Sequence, residues 1–279
     1  MTGVQTCALP ISREILARLP DDLIRPALWW VESKIQIRKA IRAGLLAQAY
    51  EFAADHRQSE ALPRSEAEWL AGWVALRFLD KADQAYQHFT ALYSGVSYPI
   101  SLARGAYWSG RAAKDPAVAR KCYETASRFP TTFYGQLALA ELGKRGLFEL
   151  PAAPAVSEAD RAAFQNRDLT AVVHALAWVG PNTLLRSFVR RLTDLATTPG
   201  QRLLVAEIAG ETDRPGVGVL TARRAARTGT TLIEFAYPVI DFPPPRGAGR
   251  VDDALLVAML RQESGFSRPA KSRAGALTP

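Results

Sequence analysis

The chain has 279 residues but only two cysteines and three histidines, and this scarcity bears on which chemistries are open to it. Cys7 and Cys122 allow at most one disulfide and leave the redox compartment open. No His/Cys/Asp/Glu grouping has metal-ligand spacing, so neither a metal nor a cofactor is expected. His56, His88 and His174 each sit within a helical pattern, where a packed or surface role is expected of them. There is no phosphate-binding P-loop, no G-x-G-x-x-G dinucleotide fingerprint and no G-x-S-x-G nucleophile elbow. No run of about 18 apolar residues occurs, so no membrane span is encoded.

What is present is the composition of an ordinary globular protein, 48% hydrophobic and 22% charged, with room for one to three domains. A net charge of +8 and a pI near 9.7 imply attraction to polyanions, without choosing among nucleic acid, anionic lipid and cell-wall polymer. The densest basic run, Arg223-Arg224-Ala225-Ala226-Arg227, lacks interleaved aromatics and reads as a solvated helix face, so no nucleic-acid partner is expected.

Residues 1–12 have neither a basic n-region nor an apolar h-region and are not a signal peptide. They resemble translated adapter sequence, which makes the chain an expected internal fragment of a longer gene. From 13 to 57 the apolar residues fall three to four apart: Ile15, Leu16 and Leu19 before Pro20, then Trp30, Val31, Ile35, Ile37, Ile41 and Leu45. Pro63 interrupts, and helices are expected over 65–79, 81–93, 101–114 and 116–129. Leu70 and Gly72 recur as Trp108 and Gly110, and Tyr86 and Leu92 as Tyr123 and Phe129, at a spacing of about 37 that lies near helix-pair repeat lengths. The expected fold is therefore all-α, a superhelical stack of antiparallel helix pairs (an α-solenoid), in which small residues let helices approach and aromatics fill the gaps. After a short linker at 150–154, further helices are expected over 157–165, 168–179, 181–196, 199–209 and 215–228. An extended proline-rich strap then covers 237–247.

The final stretch, 251–279, reads as one helix running into a polar loop. Val251, Leu255, Met259 and Glu263 stand at successive i,i+4 positions, so a stripe expected to pack into a core runs into a carboxylate. Asp252 and Asp253 suit the positive end of that helix, Arg261 the negative end, and Gly265 the left-handed turn that stops it. A carboxyl group at the end of a packed stripe loses hydration in its charged form, which suits a proton donor near neutral pH. The bland reading is a helix-end glutamate turned to solvent or paired with Arg261 or Arg268.

The run R-Q-E-S-G-F followed by P-A-x-S-x-A-G-A resembles the opening motif of the catalytic domain of soluble lytic murein transglycosylases. E-W-L-A-G-W-V-A-L-R-F-L, P-I-S-L-A-R-G-A-Y-W-S-G-R-A and T-T-F-Y-G-Q-L-A resemble segments of that family's large superhelical domain, so the likeness runs from about residue 66 onward. The resemblance implies a periplasmic enzyme acting on peptidoglycan glycan strands. It would cleave the MurNAc-β-1,4-GlcNAc bond without water, with Glu263 as sole catalytic acid and base and Ser272 as a substrate-side hydrogen-bonding residue. It also implies a domain order: 13–150 superhelical, 151–245 a helical linker domain with the proline-rich strap, and 246–279 the truncated start of a lysozyme-like catalytic domain. The family pattern continues through Gly-Leu-Met-Gln and Ala-Tyr-Asn; neither occurs here, so this chain by itself is expected to be inactive. The rival reading is a tetratricopeptide-like scaffold that binds a protein or peptide partner. The motif around Glu263 and Ser272, which a scaffold does not need, discriminates against it.

Overall fold

The computed structural model describes residues 24–144, 149–179, 182–212, 214–240 and 252–266, and the chain divides into two compact units, 1–148 and 149–279. Among the described residues there are fourteen helices and no strand, as the three-to-four spacing of apolar residues requires. Residues 1–12 with Cys7, the helical pattern before Pro20, Val251, Arg268 and Ser272 lie outside the described residues.

The first unit holds α1 (Pro26–Arg42), α2 (Leu46–Ala54), α3 (Ala61–Phe78), α4 (Ala82–Ser94), α5 (Pro99–Ala112), α6 (Pro116–Ser127) and α7 (Phe133–Glu141). The pattern that reads as continuous through residues 35–46 is broken by Gly44, whose φ of +73° lets Leu45 N–H bond the Ala40 carbonyl at 2.9 Å and close α1. Pro63 does not interrupt: α3 begins at Ala61, which leaves the proline in the first turn, where its missing N–H costs no intrahelical bond. Ser65, expected at the helix start, is instead buried in that turn, its hydroxyl donating to the Leu62 carbonyl at 2.8 Å.

Each helix of this unit packs on the next in sequence, and α1, α3, α5 and α7 also touch in turn. The core is consequently distributed along the unit. One cluster joins Trp30 and Ile37 of α1, Phe52 of α2 and Val74 of α3. The next joins Ala75, Ala85, Phe89 and Ala112 from α3, α4 and α5, and a third joins Ala106, Tyr107, Ala126 and Ala138 from α5, α6 and α7. The recurrent glycines set the approach between helices: a Cβ on Gly72 would meet the Phe89 ring at 2.7 Å, and one on Gly110 the Tyr123 ring at 2.6 Å.

The second unit holds α8 (Glu158–Gln165), α9 (Asp168–Val179), α10 (Asn182–Leu195), α11 (Pro199–Glu211), α12 (Pro215–Ala226), the short α13 (Ile233–Ala236) and α14 (Asp253–Glu263). Its entry is fixed by a capping box: Asp160 N–H donates to Ser157 Oγ, and Ser157 N–H donates to the Asp160 carboxylate, both at 3.1 Å. Thr198 adds a hydroxyl donor to the same carboxylate, and these bonds from Thr198 and Ser157 hold Asp160 below the usual carboxylate range. Val173, Leu185, Val189, Val205 and Ile208 form the centre of this unit from α9, α10 and α11.

Candidate functional site

The helix that carries Glu263 is α14. Asp252 caps it, its Oδ1 accepting from Ala254 N–H at 2.8 Å, Asp253 lies in the first turn, and Arg261 in the last. Gly265 takes φ +57° and stops the helix, as its position in the sequence predicts; Phe266 follows it into the same region at +59°. Ser264 closes the last turn by donating from both its N–H and its Oγ to the Leu260 carbonyl, at 3.1 and 3.0 Å.

The apolar stripe does not pack as expected. Leu255 and Met259 are each 55% exposed, while Leu256, Val257, Leu260 and Ser264, one register onward, are half-buried. The reason lies at the C-terminal end, where backbone and arginine contacts fix the rotation of α14. Arg223 of α12 donates to the Arg261 carbonyl at 2.8 Å, and Arg261 reaches inward to donate to the Ala236 carbonyl of α13. Its guanidinium lies 4.3 Å from the centre of the Tyr237 ring, and burial, with Arg223 nearby, lowers its basicity. Gly216 opens α12 directly under the turn; a Cβ there would stand 2.8 Å from the Gly265 carbonyl oxygen. With the Arg261 side turned inward, the Leu255–Met259–Glu263 face points out.

Glu263 is exposed at the end of that outward face. Arg261, the cation nearest in sequence, is committed to α13 and does not pair with it. The hydrophobic enclosure expected around the carboxylate is thus not formed by the described residues. What they present is a single carboxylate at a helix end held by main-chain contacts.

Two further groupings have no sequence motif. In the first unit Glu68 of α3, buried to 8% exposure, lies between two imidazoles. His88 Nδ1 is 2.7 Å from Oε2, and His56 Nε2 is 3.4 Å from Oε1. Gln58 N–H donates to His56 Nδ1 at 2.9 Å, which leaves Nε2 as the protonated nitrogen facing the carboxylate. The Tyr50 hydroxyl stands 3.2 Å from His88 Nε2 and completes a tyrosine–imidazole–carboxylate chain. Burial opposes ionisation of Glu68, but the bonds from His56 and His88 outweigh it and hold the carboxyl at about 2. Thus His56 and His88 are packed histidines, as expected of them, with the added task of ionising a buried acid. Their neighbours 12 and 20 residues away could not be picked out from spacing, because the loop after α2 and the α3–α4 packing bring them together.

In the second unit a cleft of about 400 Å³ is lined by Arg161, Phe164, His174, Leu204, Glu207 and Glu211 among others, and His174 Nδ1 lies 3.3 Å from Glu211 Oε2. Among the described residues no group of three His, Cys, Asp or Glu side chains could hold a metal ion, and no helix is long and apolar enough to cross a membrane. The basic run on α12 is partly engaged within the unit, Arg223 on α14 and Arg224 on Asp194 of α10. No protein-family model, curated protein or solved structure matches the chain.

Proposed function

We propose that the chain is part of a peptidoglycan lytic transglycosylase, with a superhelical stack of helix pairs leading, through the second helical unit, to the first helix of the catalytic domain. The observation that carries the reading is the R-Q-E-S-G-F run followed by P-A-x-S-x-A-G-A, whose Glu263 lies exposed at the end of α14, on the outward face with Leu255 and Met259 and next to a left-handed Gly265. A further layer of catalytic domain laid on that face would bury the two apolar side chains and enclose the carboxylate between protein and substrate. The stack is supported by the serial core clusters and by the succession of α1, α3, α5 and α7 along the first unit.

In the reaction, Glu263 protonates the glycosidic oxygen as the bond to C1 of the muramic residue breaks. The substrate's own acetamido group stabilises the charge at C1, an exception to the two-carboxylate pattern of most glycosidases. The same carboxylate then takes the proton from the 6-hydroxyl as that oxygen attacks C1, giving a 1,6-anhydro product without water. Ser272 hydrogen-bonds substrate beside this centre. The substrate places the enzyme in the periplasm.

The test compares the chain with a version extended through the Gly-Leu-Met-Gln and Ala-Tyr-Asn segments that the resemblance requires. Chromatography of digested murein should find 1,6-anhydromuropeptides from the extended protein and none from the chain alone, because positioning of the glycosidic oxygen supplies much of the rate. Glu263→Gln in the extended protein should cut the rate by about 10²–10⁴-fold. An extended Glu263→Gln protein that is as active as its parent would end the assignment. A second reading, a peptide-binding helical scaffold, draws on the half-buried aromatic side chains of the first unit. It predicts peptide binding without any anhydro product from the extended protein.

A further inference from the structure

Arg104, at the middle of α5, forms no ion pair among the described residues. Its guanidinium lies 5.4 Å from the centre of the Trp69 ring, its Nε is shut from solvent with no hydrogen-bond partner, and burial lowers its basicity. Among the described residues no carboxylate lies within ion-pair distance of it. Glu66, the acid whose charge reaches it, is already engaged: Oε2 accepts from Lys34 Nζ at 2.6 Å and from Trp30 Nε1 at 3.0 Å. Around Arg104 the surface is aromatic and only half-buried. Trp73 stacks on Trp69 at 5.9 Å between ring centres, Trp108 meets Trp69 edge-on at 6.4 Å, and Tyr134 of α7 lies 6.5 Å beyond Trp108. The indole N–H groups of Trp69 and Trp108, also shut from solvent, lack acceptors among the described residues.

A guanidinium without an ion-pair partner is costly to hold half-buried, and its planar fork matches a carboxylate in two parallel hydrogen bonds. Tryptophan, tyrosine and arginine together are the side chains that dominate binding hot spots, because they remove large areas from water and keep a polar handle. We propose that the half-buried surface carrying Trp69 of α3, Arg104 of α5 and Tyr134 of α7 binds a peptide carboxylate, that of a murein stem peptide, with Arg104 pairing the carboxylate and the tryptophan faces covering the adjoining peptide. Only the source of the peptide rests on the transglycosylase reading; the guanidinium site rests on the charge and the aromatic faces. The first unit would then sort strands by their peptide decoration, a task separate from the cleavage at Glu263.

The experiment is calorimetric titration of the intact chain with three probes: soluble glycan strands bearing stem peptides, the same strands freed of peptide, and a synthetic acidic peptide. The peptide-bearing strands should bind at least about tenfold tighter than the bare ones, the step expected for hydrogen bonds to a charged group. Arg104→Met, which keeps the stem packed on Trp69, should abolish that preference, and Arg104→Lys should restore part of it; an unchanged thermal midpoint shows that the variants are folded. Equal binding of bare and decorated strands, or a preference that survives Arg104→Met, would overturn the site even if the extended protein releases anhydro products. Arg104-dependent binding of the synthetic peptide with no binding of either strand would overturn the murein source while upholding the guanidinium site; the proposed function is decided separately, by the anhydro products of the extended protein.

Discussion

At the residue scale the buried acid Glu68 makes the sharpest prediction. Its folded-state carboxyl titrates at about 2 against an ordinary value of 4.5, so its contribution to stability is fully present above about pH 4.5 and is lost as the pH falls through about 2. Glu68→Gln keeps the shape but removes the charge that both imidazoles face. It should destabilise the first unit by about 2 kcal/mol at neutral pH, the middle of the range for hydrogen bonds to a charged group. Urea midpoints measured from about pH 5 to pH 2 should fall less steeply in the variant than in the parent. An identical slope would show that Glu68 is not the ionised group of the cluster. Glu263 and Glu68 also mark the two ways in which a sequence reveals a residue. Glu263 stands inside a contiguous run that can be recognised as it is written. Glu68, His56 and His88 come from different elements, and nothing in their spacing distinguishes them from solvated side chains.

At the element scale the close helix approaches are the testable feature. Phe89 is fully buried, and its ring edge lies where a Cβ on Gly72 would be, so Gly72→Ala cannot be absorbed by a swing of the phenyl group. Alanine gains about 1 kcal/mol of helix propensity over glycine, but overpacking of a filled interface costs about 1–3 kcal/mol, so the overpacking dominates. A lowered thermal midpoint for Gly72→Ala is expected. A raised one would mean that α3 and α4 separate at little cost. The same scale explains the misplaced details of α3 and α14. Pro63 is compatible with helix when it falls within the first turn, and whether it does depends on where the backbone enters the helix at Ala61. The buried face of α14 is one register away from its most regular apolar stripe, because arginine-to-carbonyl bonds and the Gly216–Gly265 approach set its rotation.

At the scale of the whole molecule, the two units each hold their own buried clusters: those of α1 to α7 share no residue with those of α8 to α13. A unit with its own core can in principle fold alone. Residues 24–144 expressed separately should give a helical circular dichroism spectrum and a single cooperative unfolding transition in urea. A non-cooperative, featureless loss of signal would mean that the first unit depends on the rest of the chain. The net charge of +8 belongs to this scale as well, since it acts on any polyanion through the summed field; the proposed binding to murein is therefore expected to weaken as salt is raised, which titrations at low and high salt would check.

The sequence by itself determined that the described chain is helical and that α14 begins at its aspartates and stops at Gly265. It also placed a small residue in one helix against an aromatic in the next. These are properties of local spacing and backbone permissiveness, which neighbours in sequence decide. Only the tertiary structure decided that Leu255 and Met259 face outward with Glu263, that Glu68 is ionised between two imidazoles, and that Arg104 lies on Trp69 with no ion pair among the described residues. Burial and ion pairing depend on which elements meet. Those meetings are set by packing over separations of 12 residues and more, where the pattern along the chain carries no record of the partner.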